Sequence, residues 1–194
     1  MKKIITIFGS AKPTDNDEQY LIAYNLGKEL ALNGFDICTG GFNGIMKAAS
    51  KGAIEGGAQT FGVTVDLWGG KANEYVTKEI RCNSLLERIQ KLIELGDGFI
   101  ILQGGTGTML ELAAVWEYIN KGLMETKPIV CHSSLWKSIV HEMNQQMKFE
   151  GRSTDLVKSF NSVEQIVSYF KKLTGDETKN IIQEISSANS KNLL

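Results

Sequence analysis

Apolar residues along this chain fall into two alternating patterns. Short unbroken apolar runs, of which Lys3–Phe8 is the first, predict buried β-strands. Longer stretches with apolar residues three and four positions apart predict helices, the first over Asp17–Asn33. Further strands are expected at Phe35–Cys38, Thr60–Val65, near Ile80, Gly98–Leu102, Pro128–Cys131 and Leu156–Phe160, and further helices at Gly44–Glu55, Ser84–Leu95, Thr108–Leu123, Leu135–Met147 and Val163–Leu173.

The regular alternation of strands and helices indicates the α/β class. It is typical of a parallel sheet with helices on both faces, and we expect a Rossmann-like, doubly wound sheet in a single domain. That domain is predicted to span residues 1–173, with residues 174–194 as a polar C-terminal tail. Ligands of such open sheets bind at the carboxyl ends of the strands. The search for chemistry therefore narrows to the loops that follow strands.

Composition and charge argue against several classes of protein. The 194 residues include 21 Lys+Arg and 22 Asp+Glu, so there is no basic excess with which to bind a nucleic-acid polymer. No stretch approaches the ~20 apolar residues of a membrane span, so no membrane partner is expected. Cys38, Cys82 and Cys131 form no CxxC pair, which predicts reduced thiols in a cytoplasmic protein.

Three of the loops that follow strands are rich in small residues, and each opens into a helix. Backbone N–H groups at a helix N-terminus suit a phosphate, and glycine lets the backbone approach it closely. The first loop lacks the dinucleotide motif GxGxxG, and no loop matches the P-loop motif GxxxxGK[ST]. One such loop is most simply a tight turn, whereas three at equivalent positions favour a bound phosphate or nucleotide. The loops read Phe8-Gly9-Ser10-Ala11-Lys12, Thr39-Gly40-Gly41-Phe42-Asn43-Gly44-Ile45-Met46 and Gln103-Gly104-Gly105-Thr106-Gly107-Thr108.

Arg88 and Glu111 each allow two interpretations. Arg88 lies on the shoulder of an apolar helical face, where its guanidinium could reach an interior cleft or extend to solvent in a surface ion pair. Glu111 follows Thr108 by three residues, which matches a capping box with the carboxylate in the first helical turn. It could equally be a carboxylate held at the rim of a phosphate loop. Spacing alone favours the surface interpretation for Arg88 and does not decide between the two for Glu111.

Taken together, these residues resemble the motifs of a known family. Gly40-Gly41-x-x-Gly44-Ile45-Met46, Arg88 and Gly104-Gly105-x-Gly107-Thr108-x-x-Glu111 are similar to motifs of the LOG ("lonely guy") family. Its members are cytokinin riboside 5′-monophosphate phosphoribohydrolases, many of them formerly labelled lysine decarboxylase-like. The resemblance extends from about Lys3 to Phe170, which is nearly all of the expected globular part.

The resemblance implies hydrolysis of the N-glycosidic bond of a nucleoside 5′-monophosphate, with AMP or another purine or cytokinin nucleotide as substrate. Arg88 would orient the nucleotide and assist departure of the base. Glu111 would stabilise the positive charge that develops at the ribose C1′. Neither a cofactor nor a metal is implied. The residues expected to bind the substrate and its phosphate are Gly9, Ser10, Gly40, Gly41, Gly44, Met46, Gly104, Gly105, Thr106, Gly107 and Thr108.

The resemblance also implies a homodimer with its active site near the interface. The helix expected at Thr108–Leu123 is apolar almost all round, which favours a partner subunit on independent grounds. Trp116 on this helix is a candidate interface residue, although packing is the more usual role for it and for Trp68 and Trp136. The two histidines match no metal-ligand motif.

Three residues depart from the family pattern. Gln103 replaces a proline, Leu110 replaces a frequent glutamate, and Ile89 replaces the usual lysine. These departures keep open a non-catalytic nucleotide- or molybdenum-cofactor-binding protein on the same fold. The presence of both Arg88 and Glu111 favours the enzyme. A PLP-dependent lysine decarboxylase is disfavoured, because no motif identifies a Schiff-base lysine.

Overall fold

The computed structural model of the chain describes residues 2–66 and 69–172. Within these ranges strands and helices alternate as the apolar pattern predicts, except that the fourth strand follows the third. The strands are β1 (Ile4–Phe8), β2 (Asp36–Thr39), β3 (Thr60–Val65), β4 (Lys78–Cys82), β5 (Gly98–Ile101), β6 (Ile129–His132) and β7 (Val157–Phe160). The helices are α1 (Glu18–Leu32), α2 (Ile45–Glu55), α3 (Leu85–Leu95), α4 (Thr106–Asn120), α5 (Ser134–Phe149) and α6 (Val163–Lys172).

All of these strands lie parallel in one sheet, in the order β4-β3-β2-β1-β5-β6-β7. The chain builds outwards from β1 to β4, returns to place β5 on the other side of β1, and continues outwards to β7. The strand order therefore reverses between β1 and β5, which is the point where doubly wound sheets bind their ligands. This confirms the Rossmann-like, doubly wound sheet in a single domain.

Helices bury both faces of the sheet. On β5, Ile100 packs in a cluster with apolar residues of α1, α2 and α6. Its neighbours Phe99 and Ile101 point to the opposite face and pack with residues of α3, α4 and α5. Because successive strand residues face opposite sides, a sheet covered on both faces needs apolar residues at every position. This is why its strands read as unbroken apolar runs.

The tryptophans and cysteines of the described residues belong to the core. Trp116 and Trp136 are 4% and 1% exposed, and Trp136 Nε1 donates to the carbonyl of Leu102 at 2.7 Å. Trp116 therefore packs within its own chain. All three cysteines are buried and unpaired, as their positions in apolar strands predict. Trp68 lies outside the described residues.

Helix α4 differs most from its expected bounds. It begins at Thr106 rather than Thr108, and it ends at Asn120 rather than Leu123. At its C-terminal end Gly122 has φ +64, its amide donates to the Ile119 carbonyl, and the Leu123 amide donates back to Tyr118. This pair of hydrogen bonds is a Schellman motif, in which a glycine in the left-handed conformation ends the helix. The apolar periodicity continues past Asn120 and therefore does not show where the helix ends. The expected boundary at residue 173 and the tail 174–194 lie outside the described residues.

Candidate active site

The three glycine-rich loops meet at the carboxyl edge of the sheet, where the strand order reverses. They follow β1, β2 and β5, which are neighbours in the sheet. The amide of Ser10 in the first loop donates to the carbonyl of Gln103 in the third at 2.9 Å. The carbonyl of Ser10 accepts from the amide of Ile45, the first residue of α2, also at 2.9 Å. Ser10 therefore joins all three loops.

Several loop glycines are required by the packing of the site itself. A Cβ added to Gly9 would lie 2.5 Å from the first side chain of α2. Gly44 has φ +64, and its added Cβ would lie 2.3 Å from the carbonyl oxygen of Ser10. A Cβ on Gly40 would lie 1.7 Å from a guanidinium nitrogen of Arg88. Glycine at these positions lets the loops and Arg88 approach one another.

The third loop has glycines that its own fold does not require. A Cβ on Gly104 would lie 2.1 Å from Thr108 Oγ1, so that glycine accommodates the buried Thr108 side chain. Added Cβ atoms on Gly105 and Gly107 would meet no atom within 4 Å, and neither residue has positive φ. Gly105 is the N-cap of α4 and Thr106 is its first residue. Open space therefore faces the backbone at the N-terminus of a 15-residue helix, a position that favours anions.

Arg88 points into the interior and not to solvent. Its residue is 6% exposed, although it lies on a helix whose opposite side faces water. Its Nε donates to the carbonyl of Val63 at 2.8 Å and its Nη2 to the carbonyl of Gly40 at 3.2 Å. The sulfur of the buried Met46 lies 4.0 Å from Nη2. The interpretation as a surface side chain that extends to solvent is therefore wrong.

Glu111 is buried beside Arg88 in the N-terminal half of α4. It is 8% exposed, and its Oε1 lies 3.6 Å from Nη1 of Arg88. Burial raises the pKa of Glu111 to about 7, and the positive charge of Arg88 opposes that rise only in part. Burial also lowers the pKa of Arg88, which Glu111 opposes. The site thus holds a carboxyl group that can gain or lose a proton near neutral pH.

The capping-box interpretation of Thr108 and Glu111 is wrong. Because α4 begins two residues earlier than expected, Gly105 occupies the N-cap position and makes no side-chain capping bond. Thr108 is then the third helical residue, and Glu111 lies in the second turn. The Glu111 carboxylate is consequently directed at Arg88 and not at the free amides of the first turn.

The sequence analysis did not single out two residues that lie near the site, Phe42 and Asn73. Phe42 lies in the second loop, and its ring centroid is 5.6 Å from Cζ of Arg88. Asn73 is 8% exposed and donates from its side chain to the carbonyls of Gly41 and Phe42. Gly41 itself has φ +77, which only a glycine adopts readily. Asn73 comes from an irregular stretch without periodicity, so only its contacts identify it.

Other features of the described residues add no chemistry. No group of three or more His, Cys, Asp or Glu side chains within residues 2–66 and 69–172 is arranged to hold a metal ion. In the same residues no helix is long and apolar enough to cross a membrane. His132, at the end of β6, lies 3.3 Å from the carbonyl of Asn161 through its Nε2.

Known proteins share parts of this sequence and its fold. Over 106 residues the chain is 33% identical to the pyrimidine/purine nucleotide 5′-monophosphate nucleosidase of Escherichia coli K12, covering 50% of this chain but only 23% of that protein. Over 132 residues it is 28% identical to the cytokinin riboside 5′-monophosphate phosphoribohydrolase of Rhodococcoides fascians, covering 66% of each. The molybdenum cofactor binding protein of Rippkaea orientalis has the same fold, with a TM-score of 0.73 at 23% identity over 90% of this chain and 99% of that one.

Family membership follows from a match that spans nearly all of the described fold. The profile of the SLOG cluster4 family matches residues 2–167, which include all three glycine loops, Arg88 and Glu111. This chain therefore belongs to the SLOG cluster4 family, and the resemblance to LOG proteins seen in its motifs is confirmed.

Proposed function

We propose that this protein hydrolyses the N-glycosidic bond of a nucleoside 5′-monophosphate to free base and ribose 5-phosphate. The observation that carries the proposal is the buried pair of Arg88 and Glu111, 3.6 Å apart, beside the third glycine loop. Relatives with nucleotide nucleosidase and phosphoribohydrolase names support it. We propose a purine nucleotide such as AMP, or a cytokinin nucleotide, as the substrate.

The reaction breaks the bond between ribose C1′ and the base nitrogen, and a water oxygen takes the place of that nitrogen. Positive charge develops at C1′ in an oxocarbenium-like transition state. The deprotonated Glu111 would stabilise that charge more than it stabilises the neutral substrate, and it could accept the proton of the attacking water. Arg88 would orient the nucleotide and stabilise the electron pair that leaves with the base.

The 5′-phosphate would bind at the third loop. Gly105 and Gly107 present backbone without side chains to open space, and the N-terminus of α4 attracts negative charge. Thr106 and Thr108 would supply further donors beside Gly104. Gly9, Ser10 and the loop from Gly40 through Gly41 and Gly44 to Met46 would form the walls of the pocket.

We also propose a cytoplasmic homodimer whose interface lies beside the site. Met109 and Leu110, next to Glu111 in α4, are 37% and 41% exposed. Beside them a largely apolar hollow of about 210 Å³ opens between α4 and α5, lined in part by Trp116 and Met143. A second copy would cover this apolar surface. A monomeric mass in light scattering at micromolar concentration would contradict the dimer.

A non-catalytic nucleotide- or cofactor-binding protein on the same fold is the competing function. The departures at Gln103 and Leu110 favour it, but Ile89 is 5% exposed and is explained by core packing. The buried carboxylate of Glu111 argues against it. A carboxylate beside an anion-binding loop weakens anion binding by repulsion, whereas in glycosidic cleavage it stabilises the positive charge at C1′.

The test is chromatographic detection of free base. Purified protein is incubated with AMP, GMP, CMP, UMP and N6-isopentenyl AMP, alongside Glu111→Gln and the matched control Glu142→Gln. Glu142 is an exposed glutamate on α5, far from the glycine loops in sequence. Base release by wild type and Glu142→Gln but not by Glu111→Gln supports the proposal. A folded wild type that binds a nucleotide yet releases no base from any of the five establishes the binding protein instead.

A further inference from the structure

The segment 69–77, between β3 and β4, lies over the second glycine loop. The backbone amide of Asn73 donates to the carbonyl of Gly41 at 2.8 Å. Its side-chain Nδ2 donates to the carbonyls of Gly41 at 3.0 Å and Phe42 at 2.8 Å, and its Oδ1 accepts from the amide of Tyr75 at 3.1 Å. Both ends of the side-chain amide are therefore used, and Asn73 joins the segment to the loop.

The segment is itself fixed to the edge of the sheet. The Thr77 amide donates to Oγ1 of Thr60 at 2.9 Å, and the Thr60 amide donates to Oγ1 of Thr77 at the same distance. Val76 packs over Gly62, where an added Cβ would lie 2.8 Å from its methyl carbons. Through the segment 69–77, Asn73 therefore connects the second glycine loop to the edge of the sheet.

The loop in turn contacts the Arg88 guanidinium at two points. The Gly40 carbonyl accepts from Nη2 at 3.2 Å, and the Phe42 ring centroid lies 5.6 Å from Cζ. Nη1 faces Glu111 at 3.6 Å. An aromatic ring near a guanidinium attracts it through the negative charge of the ring face, and the attraction increases when water is excluded. An aliphatic side chain of similar size would fill the space without that attraction.

We propose that Asn73 and Phe42 are positioning residues, in which Asn73 fixes the second glycine loop so that the Phe42 ring holds the Arg88 guanidinium beside Glu111. The inference rests on the function proposed above and extends it to the segment 69–77. Arginine has a long side chain with several rotatable bonds, and a misplacement of about 1 Å at a reacting group can cost about 100-fold in rate. A contact that restrains this side chain therefore contributes to catalysis without touching the substrate.

The first test separates attraction from packing at Phe42. With AMP as substrate, Phe42→Leu is expected to lower kcat about tenfold while KM stays within about twofold, because the third loop is unchanged. Phe42→Tyr keeps the aromatic face and is expected to rescue kcat to within about threefold. The matched control is Phe61→Leu, a half-buried ring near Lys78 on the edge strand pair, which should leave kcat unchanged. Equal kcat values for Phe42→Leu and Phe42→Tyr would overturn the inference.

The second test does not depend on activity. The free energy of unfolding of each protein is compared with that of its Glu111→Gln derivative at pH values from 5 to 8.5. The pH at which this difference stops growing, here called the Glu111 midpoint, reports the pKa of Glu111 in the folded protein. If the Arg88 guanidinium moves away in Phe42→Leu, the midpoint should rise by about half a pH unit, whereas in Phe42→Tyr it should stay. The other ionisable groups beside Arg88 are Cys38, whose thiol pKa burial raises to about 12, and Cys82, whose thiol pKa burial also raises.

The two tests distinguish failure of the inference from failure of the function. If wild type releases no base from AMP or the other nucleotides, the proposed function is wrong, but the Glu111 midpoint still reports whether Phe42 positions Arg88. Asn73→Ala should give the same midpoint shift as Phe42→Leu, with Asn25→Ala on α1 as the exposed control. An unchanged midpoint in both Phe42→Leu and Asn73→Ala would overturn the inference whatever the activity.

Discussion

Replacement of Glu111 by glutamine should stabilise the protein at alkaline pH while it removes activity. The carboxyl group is 8% exposed, and folding raises its pKa from the ordinary 4.5 to about 7. The folded protein therefore holds this proton more tightly than the unfolded chain. Between those two pH values the stability of the wild type falls as pH rises, because ionisation favours the unfolded chain. Glutamine keeps the shape of the protonated side chain and cannot ionise.

The size of the effect follows from the two pKa values. They differ by about 2.5, and each unit of pKa difference changes the free energy of unfolding by about 1.4 kcal/mol. Complete ionisation of Glu111 therefore lowers the free energy of unfolding by about 3 kcal/mol. Between pH 5 and pH 8.5 the stability advantage of Glu111→Gln over wild type should grow by ~2.5 kcal/mol. For a domain of this size that corresponds to a relative gain in Tm of about 5–10 °C.

The assay is chemical unfolding of wild type, Glu111→Gln and Glu142→Gln at pH 5 and pH 8.5, followed by circular dichroism. Each variant is compared with wild type at the same pH, so that the titration of all other groups cancels. Glu142→Gln makes the same chemical change at an exposed position of α5 and is the matched control. If the advantage of Glu111→Gln is the same at both pH values, Glu111 does not hold a proton near neutrality, and the reasoning from burial to a raised pKa is refuted.

Three further predictions follow from other contacts. Arg88→Met removes the charge that opposes the rise in the Glu111 pKa, so the pKa of Glu111 should exceed 7. The value of kcat/KM with AMP should fall at least about 100-fold. The same pH dependence of kcat/KM in Arg88→Met and wild type would contradict this. Gly107→Ala should not lower Tm, because the position is helical and open, but it should weaken AMP binding in calorimetry, since its methyl group meets only the proposed phosphate. Unaltered affinity would place the phosphate elsewhere. Ser84→Ala removes the oxygen that accepts from the Glu87 amide at 3.1 Å, and it should cost about 1 kcal/mol in unfolding measurements while base release is unaffected.

The sequence by itself determined the class of fold and the edge of the sheet at which the three glycine loops lie. Apolar runs and helical spacing are local properties, and each expected strand and helix within the described residues is present, with most bounds within one or two residues. Parallel strands joined by helices leave few topologies, and they bring the loops after β1, β2 and β5 to one edge. The amino-acid sequence alone therefore places the glycines of those loops together.

Tertiary structure alone decided the environment of the charged residues. Helical spacing gives the angle of Arg88 around α3, but not whether a neighbouring element covers that side, so its burial against Val63 and Gly40 could not be predicted. Glu111 was ambiguous because the start of α4 depends on Gly105, a cap without a side chain. Asn73 reaches the site through hydrogen bonds across 31 and 32 positions of sequence, a distance at which no local pattern operates. Burial, and with it the pKa of a carboxyl group, depends on which elements pack together, and that is decided only when the chain has folded.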